Sequence, residues 1–334
     1  MEASLPLIWA FLIAFAILAY VILDGFDLGV GILFPFVHGE KNRDVMMNSV
    51  APVWDGNETW LVLGGGGLLA AFPLAYSVLL TALYVPIIAM LLGLIFRGVA
   101  FEFRFRTTKN QVFWDLGFAG GSIVAAFCQG IALGAFVQGI AVEGRAYAGG
   151  WFDWLTPFSL LTGLALVVGY ALLGTCWLIA KTEGDFQQRF YRLAVPLGSA
   201  VVGLIGVVSI WTPFLHPDIA HRWFSWPNLL FVSPVPALVA ALAMTLTWSV
   251  RQRKEMWPFV SALGLFVLSF VGLGISLYPY IVPRAYTIWR AAAPPESLMF
   301  MLVGAVILLP LILGYTAYAY WVFRGKVREG EGYH

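Results

Sequence analysis

Ala51-Pro-Val-Trp-Asp-Gly-Asn-Glu-Thr-Trp-Leu-Val-Leu-Gly-Gly65 sets two carboxylates, Asp55 and Glu58, and two tryptophans, Trp54 and Trp60, at the mouth of an apolar run. Upstream, Asp24-Gly-Phe-Asp-Leu-Gly-Val-Gly31 puts two more acids inside a long hydrophobic segment. Ionisable groups in a membrane are costly; where they occur they face a bundle interior or a water-filled path. The two stretches fix the class of molecule and the place to look for its chemistry.

Composition widens that reading. Of 334 residues, 60% are hydrophobic and 11% charged, against about 25% charged in soluble domains. This is an integral membrane protein. Its 14 Trp, 13 Tyr and 26 Phe suit interfacial belts and lipid-facing surface. A net charge of +1 gives no footing for nucleic acid. Cys128 and Cys176 both lie in apolar runs, where a thiol acts as a small core residue. The first residues carry no basic n-region or small-residue cleavage site, so Leu5 onward reads as a retained first span.

A helix needs about 20 apolar residues to cross a bilayer. On that rule the sequence divides into nine spans, near residues 5–37, 59–72, 74–96, 112–142, 157–180, 190–212, 227–250, 257–280 and 297–323. The second is short and rich in glycine (Gly64 to Gly67) and turns at Phe72-Pro73, so it forms a tight hairpin with the third. The distribution of basic residues checks the count. With the N-terminus outside, inner loops hold fifteen of the 19 Lys and Arg, and outer loops hold only Arg145, Arg222, Arg284 and Arg290. The positive-inside rule requires such a bias, and dropping one span would scatter the basic clusters over both faces. The expected architecture is all-α and polytopic, N-out and C-in.

The four histidines, His38, His216, His221 and His334, all fall in loops or at the tail. Haem buried in a bilayer is held by His or Met from helices facing the bundle interior. Met90, Met244, Met299 and Met301 are within spans, but lone methionines in apolar helices are ordinarily packing. Haem ligation by this chain is not expected. Walker, GxGxxG, CxxC and HExxH motifs are also missing, which argues against nucleotide-driven chemistry.

The acids remain. Asp24 and Asp27, at i and i+3, share a helix face. Two carboxylates so close in low dielectric do not both ionise easily, which suits a proton relay; a structural pairing with Arg97 and a metal site are the alternatives. Gly25 and Gly29 form a small-xxx-small pair and Gly31 follows, so another helix is expected to pack closely on this face. Asp55 reads either as a cap favoured by the helix dipole or, between Trp54 and Trp60, as a site of proton intake or quinone contact. Glu102 lies in a segment alternating aromatic and charged residues, as in a helix leaving the membrane with snorkelling side chains. Asp115, Gln129 and Gln138 are weaker candidates.

These residues resemble subunit II of the cytochrome bd quinol oxidases, including the cyanide-insensitive branch. The likeness lies in Asp24 to Gly31, in Asn48-Ser-Val-Ala-Pro-Val-Trp-Asp-Gly-Asn-Glu-Thr-Trp60 and in Phe96-Arg-Gly-Val-Ala-Phe-Glu102. It continues through Trp114-Asp-Leu-Gly117, Lys181-Thr-Glu-Gly184, Gly274 to Pro283 and Thr316 to Trp321, covering the chain in order. The resemblance implies a bacterial inner-membrane subunit with two four-helix bundles (residues 1–143 and 157–280) and a peripheral ninth helix at 297–323. It implies a partner, subunit I, carrying haem b and haem d, in a complex that oxidises quinol and reduces dioxygen to water with cytoplasmic protons. It leaves room for small accessory membrane subunits, bound lipid and a structural quinone. On this likeness Asp55 and Glu102 fall on a proton-conducting path and Asp27 on the family's acid in the first span; with Asp24, read from its spacing, they are the proton-pathway candidates, and Trp54, Trp60, Arg97 and Asp115 are candidates for quinone or helix-packing support. Two departures stand out: Glu102 replaces the Asp of some relatives, and Arg290 follows Trp289 where some have an acid.

Two other classes fit the residues alone. One is a stand-alone transporter or channel coupled through Asp24, Asp27 and Asp55. The other is a scaffold whose acids only fix helix packing.

Overall fold

The computed structural model describes residues 4–107 and 110–328; Lys109 of the inner-loop tally and His334 lie outside them. The backbone is helical because apolar segments in lipid must satisfy every N–H and C=O within themselves. In chain order the helices begin with α1 (Leu5–Leu33), α2 (Glu40–Val50), α3 (Trp54–Ala71), α4 (Pro73–Ala82), α5 (Tyr84–Arg106) and α6 (Gln111–Gln138). A hairpin of β1 (Val142–Glu143) and β2 (Ala146–Tyr147) precedes α7 (Pro157–Lys181) and α8 (Gly184–Leu215). Then come α9 (Pro217–Phe224), α10 (Asn228–Val232), α11 (Pro234–Arg251) and α12 (Trp257–Leu277). A second hairpin, β3 (Tyr280–Val282) with β4 (Tyr286–Thr287), leads to α13 (Ile288–Ala291) and α14 (Pro295–Val322).

Among the described residues eight helical segments are long and apolar enough to cross a membrane. Helix α3 is not one of them: its first turn carries Asp55, Asn57 and Glu58, and glycines follow at 64–67. It starts five residues earlier than the sequence suggests, so the polar turn lies inside the helix. The third expected span, residues 74–96, is two helices, broken at Leu83. Pro86 accounts for the break, because its ring would clash with the carbonyl four residues back, at Ala82, and it has no N–H to donate. The start of α7 is written locally. Thr156 accepts from Ser159 N at 3.1 Å, Ser159 Oγ accepts from Thr156 N at 2.9 Å, and Pro157 opens the first turn. This is a capping box that satisfies otherwise orphaned donors.

Helix α1 runs through the middle, packed against α3, α6, α7, α12 and α14. Its glycines allow this. A Cβ on Gly29 would sit 1.9 Å from Tyr170 O, and one on the facing Gly174 would sit 2.4 Å from Gly29 C, so α1 and α7 cross backbone to backbone. On the next face a Cβ on Gly31 would meet Ser122 Oγ of α6 at 2.0 Å. The expected close packing at Gly25, Gly29 and Gly31 is present. Further pairs are α5 with α6, α6 with α7, α7 with α8, and α11 with α12.

Helix α14 lies outermost, with most of its apolar surface uncovered. It is pinned to α1 at one end, where Trp9 Nε1 donates to Leu298 O at 3.0 Å. At the other end Tyr320 Oη donates to Asn57 Oδ1 of α3 at 2.9 Å. The segment beyond α14 folds back on the end of α7 and on the connection between α11 and α12. Lys181 Nζ donates to Phe323 O at 2.5 Å, Val327 N to Lys181 O at 2.9 Å, and Lys326 pairs with Glu255 at 2.6 Å.

Candidate functional site: a buried carboxylate cluster

The shared face of Asp24 and Asp27 points inward, and both residues are fully buried. Arg97, also 0% exposed, reaches them from α5: Nη1 donates to Asp24 Oδ1 at 3.0 Å, and Nη2 stands 3.9 Å from Asp27 Oδ2. Arg97 is thus the basic partner the sequence suggests. The same Nη1 also donates to Glu58 Oε1 at 2.6 Å. Asn57 completes the ring, donating from Nδ2 to Asp27 Oδ2 at 2.6 Å while it accepts from Tyr320. Helices α1, α3, α5 and α14 therefore meet on one polar knot in an apolar surround.

The local reasons are plain. The i, i+3 spacing of Asp24 and Asp27 turns both toward α5. Starting α3 at Trp54 puts Asn57 and Glu58 on its first turn, against α1. Phe26, on the same turn as the two acids, stacks on Trp177 at 4.1 Å and fixes the register of α1 against α7. The knot holds three carboxylates and one guanidinium. Asp24 Oδ2 and Asp27 Oδ1 are buried without a hydrogen-bond partner, and each is an atom on which a proton can rest. Tyr20, one turn before Asp24, extends the polar chain: Gln129 Nε2 donates to Tyr20 Oη at 2.6 Å, and Tyr170 Oη donates to Gln129 Oε1 at 2.8 Å.

Asp55 and Glu102 stand apart from the knot. Both are exposed on the isolated chain, Asp55 at the start of α3 and Glu102 in an i, i+4 pair with Arg106 at 3.4 Å. Only the residues beside them are in contact. Trp54, adjoining Asp55, stacks on Phe101, adjoining Glu102, with centroids 4.9 Å apart and planes 10° apart. Trp60 is buried edge-on to Phe15 at 5.7 Å and serves helix packing.

Asp115 belongs to a second network, two turns along α5 from Arg97, a distance of about 10 Å at 1.5 Å per residue. Arg104 Nε donates to Asp115 at 2.6 Å and its Nη1 to Asp44 at 2.5 Å, while Arg43 Nη1 donates to the other Asp115 oxygen at 2.7 Å. Both guanidinium groups lie over the Phe34 ring, at 5.4 and 5.6 Å. The sequence flags Asp115 but not its partners, which are 11 to 72 residues away. Glu58 and Asn57 are the site residues that sequence reasoning leaves out of the knot. The cue was present: Asp55 and Glu58 repeat the i, i+3 spacing of Asp24 and Asp27.

The described residues put no imidazole inside a membrane-spanning helix: His38 is in a linker, His216 follows α8 and His221 is in α9. Burial, then the nearby Arg284 charge, lowers the pKa of His216. Among the described residues no group of three or more His, Cys, Asp or Glu is set to hold a metal ion.

Comparison with known proteins agrees in one direction. The family model for cytochrome bd terminal oxidase subunit II matches residues 5–323. The chain is 29% identical over a 364-residue alignment to subunit 2 of the cytochrome bd-I ubiquinol oxidase of Escherichia coli K12, covering 98% of this chain and 96% of that one. It is 29% identical to subunit 2 of the cytochrome bd ubiquinol oxidase of Bacillus subtilis 168, covering 98% of each. The structure of the bd oxidase from Geobacillus thermodenitrificans contains a chain of the same fold, with a TM-score of 0.80 at 19% identity, covering 96% of this chain and 98% of that one. The chain belongs to the cytochrome bd terminal oxidase subunit II family, and so is a multi-pass subunit of a respiratory quinol oxidase complex in the bacterial inner membrane.

Proposed function

We propose that the chain is the subunit of this oxidase that ligates no haem, and that it carries protons from the cytoplasmic face toward a haem-bearing subunit I. Haem b and haem d in that partner supply electron transfer and dioxygen reduction. The chain's own part is to hold and move protons: Asp55 and Glu102 collect them at the surface, and Asp24 and Asp27 receive them in the interior.

The observation that carries the reading is the composition of the knot. Three carboxylates around one guanidinium accept two protons before the group is neutral. A cluster serving packing alone has no need of that surplus. The orientation, N-out and C-in, is supported by the basic residues. With α3 counted as a crossing segment beside the eight long apolar ones, and α4 taken with α5 as one span, the architecture is nine helices in two four-helix bundles with α14 peripheral. In that frame Asp55, Glu102 and the Arg104 network share the cytoplasmic end. A structural quinone, accessory subunits and bound lipid remain part of the family expectation, with no residue of this chain assigned to them. Membership of the oxidase family leaves the stand-alone transporter without separate support.

The test is Asp55→Asn in the assembled complex. A carboxamide keeps hydrogen bonding but releases no proton near neutral pH. Oxygen consumption should fall about tenfold or more, the scale of a lost proton-transfer group, with the reduced-minus-oxidised haem spectrum unchanged. Full turnover in a complete complex would leave only the scaffold role.

A further inference from the structure

We infer that Glu58, rather than either buried aspartate, is the port through which the knot exchanges protons with the surface, and that Arg97 is the positioning residue that couples it to Asp24. The inference rests on the proton-carrying reading above. Glu58 is the one acid of the knot that reaches outward. Its side chain is 24% exposed, whereas those of Asp24, Asp27 and Arg97 are 0% exposed. It is also one turn from exposed Asp55 on the same face of α3, the spacing at which helix side chains meet. One feature joins it to the interior. A single nitrogen, Arg97 Nη1, donates to Glu58 Oε1 at 2.6 Å and to Asp24 Oδ1 at 3.0 Å. The two carboxylates therefore stand within one bridging water of each other. The guanidinium stays protonated in proteins, so it carries no proton itself; it holds the two acids together.

The step balances simply. The O–H bond of a protonated Glu58 breaks, its electron pair stays on the carboxylate, and an O–H bond forms on Asp24. The next proton reaches Glu58 from the Asp55 side. The charged and titratable groups around Glu58 are Asp55 on its own helix, Tyr20, Asp24 and Asp27 on α1, Arg97 on α5 and Tyr320 on α14. Asn57, between Asp27 and Tyr320, closes the α14 side.

The experiment compares Glu58→Gln, Glu58→Asp and Asp27→Asn in the complete detergent-extracted oxidase, reading oxygen consumption against pH and the haem spectrum. Glutamine keeps an oxygen for Arg97 to bond, so the packing survives while the proton does not. Glu58→Gln should lose about tenfold or more of turnover with an unchanged spectrum, and Glu58→Asp should keep most of it with a shifted pH profile. Normal turnover in Glu58→Gln beside a slow Asp27→Asn overturns the port and leaves the pathway standing. Normal turnover in both overturns the pathway itself. Should Glu58→Gln fail to assemble, the pH profile of Glu58→Asp decides: a shift supports the port, and an unchanged profile overturns it.

Discussion

Two polar networks lie along α5, about two turns apart, and they differ in arithmetic. At the helix end, Arg43 and Arg104 face Asp44 and Asp115, two cations against two anions, with Asp44 partly open to solvent. Deeper in, Arg97 alone faces Asp24, Asp27 and Glu58. The first network is balanced and saturated: Asp115 takes a guanidinium on each oxygen. The second has more carboxylate than cation and leaves oxygens without partners. A balanced network can anchor helix ends without changing protonation. An unbalanced one in low dielectric favours binding of protons by its acids, and on the proposed function that separates a structural clamp from a proton-handling group.

The largest effect should come from removing the one cation of the deep knot. Arg97→Leu leaves three acids facing each other in an apolar surround, and breaking a buried pair on one side costs about 3–5 kcal/mol. The complex should lose yield and melt at lower temperature; a stable Arg97→Leu complex would mean that the acids are already neutral and need no counter-charge. The balanced network should respond less. Asp115→Asn withdraws the anion shared by Arg43 and Arg104 and should cost about 1–3 kcal/mol, read as a lower melting temperature with turnover per complex preserved. A loss of turnover there would erase the contrast between the two networks.

The smallest effect belongs to the segment beyond α14. The Lys326 ammonium first, then the Gln187 amide, hold the Glu255 carboxyl below the usual carboxylate range. A lowered pKa in the folded state gives stability that is present above the unfolded value of about 4.3 and fades as pH falls through the folded one. The protection factor of the Val327 amide, which donates to Lys181 O, should therefore fall only under acid conditions once exchange is corrected for its intrinsic pH dependence, while the buried knot stays protected. A Val327 protection factor that does not change with pH would show that Lys326–Glu255 contributes nothing to the clamp.

What was legible in the sequence depended on distance along the chain. The inward face of Asp24 and Asp27 follows from a three-residue spacing in an apolar run, and the Arg97 pairing follows from counting which loops share a side. The glycines beside the acids announced the close crossing with α7. Hydropathy alone starts this segment at Thr59, at the edge of the apolar run from Trp60, and so leaves Glu58 outside it, whereas the polar turn Trp54 to Glu58 is already helical and packs on α1. The break before α5 was missed because hydropathy is blind to Pro86. The partners of Asp115 lie on two other elements, Arg43 on α2 and Arg104 on α5, and nothing local in Trp114-Asp-Leu-Gly117 names them. Asp55 and Glu102 are marked by motif, while the Trp54–Phe101 stack that joins the helix segments carrying them follows from no spacing rule.

Oxygen consumption of the complete complex carrying Asp27→Asn, set beside Asp115→Asn, tests the central contrast most directly. Asparagine at 27 still offers an oxygen to Asn57 but has no proton to pass. Asp27→Asn should turn over about tenfold or more slowly, with its haem spectrum and assembly intact, while Asp115→Asn keeps its rate. Equal, undiminished rates in both variants would contradict the account, making the deep knot a clamp like the one at the helix end.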